Sequence, residues 1–162
     1  MINFQKATEA FKKYISQYDE TIPSIRLKIV HTYEVMKCSD YLCEQLRLNQ
    51  EDKELAALIA LLHDIGRFEQ WMRYQSFADY KTIDHALFSS QLLFDEGLIR
   101  EFIDDPQYDR IIKNAIEQHN KYKIDEGFDE KLVEISILSY SINSNIEKRR
   151  EAPFISFIAG TR

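Results

Sequence analysis

The chain has 162 residues, 44% hydrophobic and 30% charged, which is the size and composition of one globular domain with a sizeable core. Its net charge of −6, from 21 Lys and Arg against 27 Asp and Glu, argues against non-specific binding to duplex nucleic acid, which needs a basic surface. A local cluster of cations still leaves room for a small phosphorylated ligand.

With only 4 Gly and 3 Pro, the chain lacks the turn residues that an all-β domain needs, and apolar residues recur at three- and four-residue spacing. The expected class is therefore all-α, a single-domain helical bundle. The N-terminal Met-Ile-Asn-Phe-Gln-Lys carries no apolar leader, and no apolar run approaches the length of a membrane span, so the expectation is a cytoplasmic protein with no membrane partner. Cys38 and Cys43 lie five apart on one predicted helix, fit neither a CxxC pair nor a disulfide framework, and are expected to be reduced.

A first helix is predicted over residues 3–18, ending before Asp19–Ser24, where Pro23 breaks it. A second runs from Ser24 to Arg47. A third begins at Asn49, a good N-cap, and ends at His63, with Gly66 expected to close it in a left-handed conformation. A short helix is predicted over Phe68–Tyr74 and a longer one over Ile83–Glu96, stopped by Gly97. Pro106 opens a helix to His119, Asn120–Phe128 reads as a loop, and a last helix is predicted over Asp129–Ser144.

All four histidines fall on apolar helix faces. His31 aligns with Leu27, Val35, Cys38 and Leu42; His63 with Ala56, Ile59 and Ala60; His85 with Phe88 and Leu92; His119 with Ile112, Ala115 and Ile116. Any one of them alone is more often a hydrogen-bonded core residue than a ligand. Four inward imidazoles from four helices, one followed directly by Asp64, form a different pattern, because helical bundles build metal sites from inward His and carboxylate side chains. Imidazole nitrogens suit Zn, Fe, Ni, Mn or Co, and one aspartate can bridge two ions that together activate water and clamp a phosphoryl group.

The charged neighbours read two ways. Arg67 suits a phosphate oxygen at the rim of such a site, or is a solvated arginine. Asp84 suits a hydrogen bond to a liganding His85, or caps the helix it precedes. Trp71, Tyr74, Phe77 and Tyr80 are more often core or lid packing than a base-stacking platform.

The segment Leu61-Leu-His-Asp-Ile-Gly-Arg-Phe68 strongly resembles the central signature of the HD-domain (His-Asp) superfamily of metal-dependent phosphohydrolases. Lys28-Ile-Val-His31-Thr resembles its first histidine, and Asp84-His85-Ala and Ala115-Ile-Glu-Gln-His119-Asn resemble the two further histidines of members with an extended site. The resemblance is clearest over residues 20–128. It implies a helical domain binding one or two divalent ions (Mn, Fe, Ni, Co, Zn or Mg), with His31, His63 and Asp64 holding the first ion and Asp64, His85 and His119 the second or the leaving phosphate. It implies Asp64, His85 and His119 as catalytic residues, Arg67 as the substrate-facing cation, and a small phosphate ester, a nucleotide or phosphomonoester, as substrate.

The resemblance weakens over residues 130–162. The superfamily closes its first site with a late aspartate, whereas Leu132–Ser144 holds Glu134 as its only carboxylate, and Asp125 and Asp129 come earlier. A truncated or out-of-register C-terminal segment, and a site weakened by one ligand, are the resulting expectations. The alternatives are a di-iron oxygenase with the same ligand order, and a non-catalytic ligand-binding remnant.

Overall fold

The computed structural model describes residues 2–121. These residues fold as helices α1 (Phe4–Ile15), α2 (Pro23–Gln45), α3 (Gln50–Leu62), α4 (Gly66–Tyr74), α5 (His85–Ser90), α6 (Ile99–Phe102) and α7 (Asp109–Gln118), with short 3-10 turns at Asp79–Lys81 and Pro106–Tyr108. No strand occurs among the described residues, so the all-α expectation holds. The predicted Asp129–Ser144 helix, Glu134, Asp125 and Asp129 lie outside them. No described helix is long and apolar enough to cross a membrane.

Helix α3 is the hub. Leu55, Leu58, Leu61 and Leu62 are fully buried, and Ala56, Ile59 and Ala60 nearly so, as expected of a helix surrounded by its neighbours. It packs against α1, α2 and α7. Each large side chain buried in this way contributes about 1.5–3 kcal/mol. Asn49 caps α3 as predicted, its side chain accepting from the Asp52 backbone N–H, and Asn3 caps α1 through Lys6.

Two sequence expectations are corrected here. Gly66 does not end α3 in a left-handed conformation; it opens α4, and among the described residues Gly97 (φ 81°) is the glycine with positive φ. Gly66 is small for a steric reason, since a Cβ there would lie 2.8 Å from both the backbone nitrogen and Oγ of Ser89 in α5. Leu27 is 45% exposed rather than part of the buried stripe, because α2 turns inward along Ile25, Thr32, Val35, Ser39 and Cys43. His31 sits at the edge of that stripe.

The helix predicted over Ile83–Glu96 starts at His85, where Asp84 caps the Ala86 and Leu87 N–H groups, and its last turn widens into a π-helical segment over Gln91–Asp95. Helix α6 was not anticipated, being only four residues long. Neither cysteine forms a disulfide; Cys43 is buried and Cys38 partly so.

The turn His63–Ile65 between α3 and α4 is braced from two sides. Tyr14 Oη of α1 donates to the Ile65 carbonyl (3.3 Å), and Ser89 Oγ of α5 accepts from the Gly66 N–H (2.9 Å). The His-Asp doublet therefore rides on a backbone fixed by its neighbours.

Candidate metal centre

All four histidines and Asp64 converge. Helix α2 supplies His31, the end of α3 His63 and Asp64, the start of α5 His85, and the end of α7 His119. Ring centroids run in a chain, His31–His63 at 5.3 Å, His63–His119 at 5.2 Å and His119–His85 at 4.9 Å. Asp64 lies between the pairs. Its Oδ2 is 3.5 Å from His31 Nε2 and 3.7 Å from His63 Nε2. Its Oδ1 is 3.5 Å from His85 Nε2 and 3.6 Å from His119 Nε2. Two ligand sets share one carboxylate: His31, His63 and Asp64, and Asp64, His85 and His119.

The opposite ring nitrogens fix the tautomers. His63 Nδ1 is 2.8 Å from the Ala60 carbonyl and His119 Nδ1 is 2.6 Å from that of Ile116; a carbonyl only accepts, so both Nδ1 atoms carry the proton. His85 Nδ1 donates to Asp79 Oδ2. Each of these three rings therefore presents a bare Nε2 lone pair to the interior. His85 and His119 Nε2 stand 3.1 Å apart, and His31 and His63 Nε2 3.2 Å apart. The His85 and His119 nitrogens, both bare, repel at their distance unless a cation lies between them, and the whole donor set fits divalent ions.

Protonation supports the same use. Burial pushes His31 down to about 4 and His63 down to about 3, in each case against the pull of Asp64, and burial lowers His85 despite its bond to Asp79. These imidazoles are neutral at pH 7 and ready to bind an ion. Burial alone would raise Asp64, but the Lys28 ammonium, followed by His63, holds its carboxyl well below the usual range.

Two residues of this centre, Lys28 and Asp79, escaped the sequence. Lys28 Nζ pairs with Asp64 Oδ2 at 2.9 Å; it stands three residues before His31 on one helix, so helical spacing carried the signal. Asp79 engages both His85 Nδ1 and Arg67, the latter at 2.7 Å. It sits in a loop without periodicity, and nothing in the sequence set it apart. Phe77 has the Lys28 and Arg67 cations 5.3 and 5.6 Å from its ring centroid and packs on Trp71.

Of the two readings of Asp84, the cap is what the structure shows, with Asn120 Nδ2 also approaching its carboxylate. The orienting carboxylate for His85 is Asp79 instead. Of the aromatics, Tyr80 is 85% exposed and Tyr74 45%; only Trp71 and Phe77 pack together. Arg67 is nearly buried, donating to Gln70, the Phe77 carbonyl and Asp79. Its Nε–H has no hydrogen-bond partner and lies 3.7 Å from Asp64 Oδ1.

Asp79→Asn is expected to weaken metal uptake or turnover by about 10–100-fold, because the partner that sets the His85 tautomer is lost. The check is a metal titration alongside a circular dichroism spectrum that stays helical.

The HD domain family matches residues 29–152. The chain belongs to the HD-domain family, whose members are mostly metal-dependent phosphohydrolases. Neither a search of curated proteins nor one of solved structures returns a significant match. The family match spans all five clustered residues and runs past residue 128, where the sequence resemblance was clearest.

Proposed function

We propose that the protein hydrolyses a small phosphate ester, a nucleotide or other phosphomonoester, at divalent ions held by His31, His63, Asp64, His85 and His119. The observation that carries this reading is Asp64, whose two oxygens each face a separate pair of imidazole nitrogens. Bound divalent ions would lower the pKa of water and polarise phosphoryl oxygens.

The surroundings select an anion. Lys28 and Arg67 balance Asp64 and Asp79 in formal charge, so the first divalent ion added leaves two uncompensated positive charges. A phosphate dianion restores the balance, whereas a neutral ester does not. The buried Arg67 guanidinium, with Nε 3.7 Å from Asp64 Oδ1, adds positive charge beside the place a phosphate would take. Asp64 would orient the ions, and His85 and His119, whose Nδ1 protons are committed to Asp79 and the Ile116 carbonyl, would act through the ions they hold. The partner proposed is a small phosphorylated molecule rather than duplex nucleic acid, in the cytoplasm.

Elemental analysis of the purified protein, followed by anaerobic phosphate release from nucleoside monophosphates and simple phosphomonoesters with each metal restored, tests the proposal. Release that depends on added metal is expected. A coloured iron-loaded sample that consumes oxygen without releasing phosphate, or binding of these esters with no turnover under any metal, would overturn it.

A further inference from the structure

Among the described residues, Lys28 is the one ammonium group in contact with the ligand carboxylate. It lies 2.9 Å from Asp64 Oδ2, the same oxygen that faces His31 and His63, and its side chain is 15% exposed. The pair supplies the nearer of two positive charges to a buried carboxylate, the other being Arg67, 3.7 Å from Oδ1. A divalent ion at the His31–His63–Asp64 set would need the same oxygen and would repel the ammonium. Lys28 cannot stay where it is and share Asp64 on equal terms.

Its alternative place is defined by what surrounds it. The flexible stem begins one helical turn before His31, the Nζ sits 5.3 Å from the Phe77 ring centroid, and Arg67 flanks the same ring. A small swing of the ammonium away from Oδ2 keeps it beside the ring that Arg67 also flanks.

We propose that Lys28 exchanges charges: it neutralises Asp64 when no ion is bound, and on metal loading it is released to bind the substrate's phosphate. This rests on the metal reading above and adds to it a competitor for the first ion and a second phosphate-binding cation beside Arg67.

The test is a pair of titrations on the full chain after chelation: Mn2+ into the metal-free protein, then inorganic phosphate into the Mn2+-loaded protein. Lys28→Met should bind its first Mn2+ roughly tenfold more tightly than wild type, because an adjacent positive charge no longer competes. It should bind phosphate at least several-fold more weakly. In chelator its melting temperature should fall below that of wild type, and Mn2+ should narrow the gap. Lys28→Arg keeps the charge and should follow wild type in both titrations, which a role in packing alone would not require. Should Lys28→Met not fold, Lys28→Gln carries the same expectations.

Unchanged or weaker Mn2+ affinity in the neutral variant, or unchanged phosphate affinity, overturns the inference. Where wild type takes up Mn2+ and hydrolyses esters, such a result removes Lys28 alone. Where wild type takes up no Mn2+, the metal reading falls and this inference falls with it.

Discussion

Asp64→Asn is expected to abolish stable metal uptake at both ligand sets and to lower turnover by on the order of a thousandfold or more. The magnitude follows from what the ions contribute to a phosphoryl transition state, several kcal/mol of charge stabilisation, with about 1.4 kcal/mol per factor of ten. The geometry explains why one residue has so large an effect. Oδ2 serves His31 and His63 while Oδ1 serves His85 and His119, so losing the anionic charge damages both sets at once. His119→Ala, by contrast, touches only the second set and should leave one ion bound.

The same substitution leaves Lys28 facing a neutral amide. Removing one member of a fully buried ion pair costs about 3–5 kcal/mol, and the cost here is smaller because Lys28 keeps some contact with water. A thermal melt in chelator therefore accompanies the elemental analysis. A folded Asp64→Asn protein that retains two ions per chain and full turnover would remove Asp64 from the centre.

The site was more legible than its support. His31, His63, His85 and His119 were recoverable because helical periodicity forces a residue to one face, and an imidazole among Ile, Leu and Ala is conspicuous there. The family resemblance added the bridging role of Asp64. The lone pairs that meet across the centre were not recoverable, since they depend on carbonyls three residues upstream of His63 and His119 and on Asp79, six residues before His85 along an irregular loop. Asp84 adjoins His85 in sequence and drew attention for that reason, yet its short side chain turns back to cap α5. Gly66 shows the same limit. A glycine after a helical run suggests a left-handed cap, but here the constraint is Ser89 on another helix, a contact with no local signature.

Stability in chelator should fall steeply between pH 6.5 and 4, and bound metal should raise the whole curve without changing its slope in that window. Unfolded histidines titrate near 6.5, whereas burial holds His31 at about 4 and His63 at about 3, with His85 lowered as well. Within that window the unfolded chain carries more protons than the native one, so acid favours unfolding. The contribution of these groups is complete above pH 6.5 and is lost as pH drops through the native values. Each group alters stability by at most about 1.4 kcal/mol per pH unit in the window, and a domain of ordinary stability has only about 5–15 kcal/mol in total. Asp64 and Asp79, both held low in the fold, act in a lower range: their contribution is present above the unfolded aspartate value of about 3.9 and is lost below it. Mn2+ binds the native state alone, so the loaded protein gains stability by mass action at neutral pH. Because the ring nitrogens it needs are already unprotonated there, protons begin to compete with it seriously only as the depressed native values are approached. Melting temperatures in chelator and in excess Mn2+, taken from pH 7.5 to 4.5, should both fall as pH drops from 7 to 5, the Mn2+ curve staying above the chelated one by a near-constant margin. A chelated protein whose melting temperature is flat across that interval would mean that these imidazoles are not buried and neutral together, and the close pairing of their Nε2 atoms could not then be a cation site.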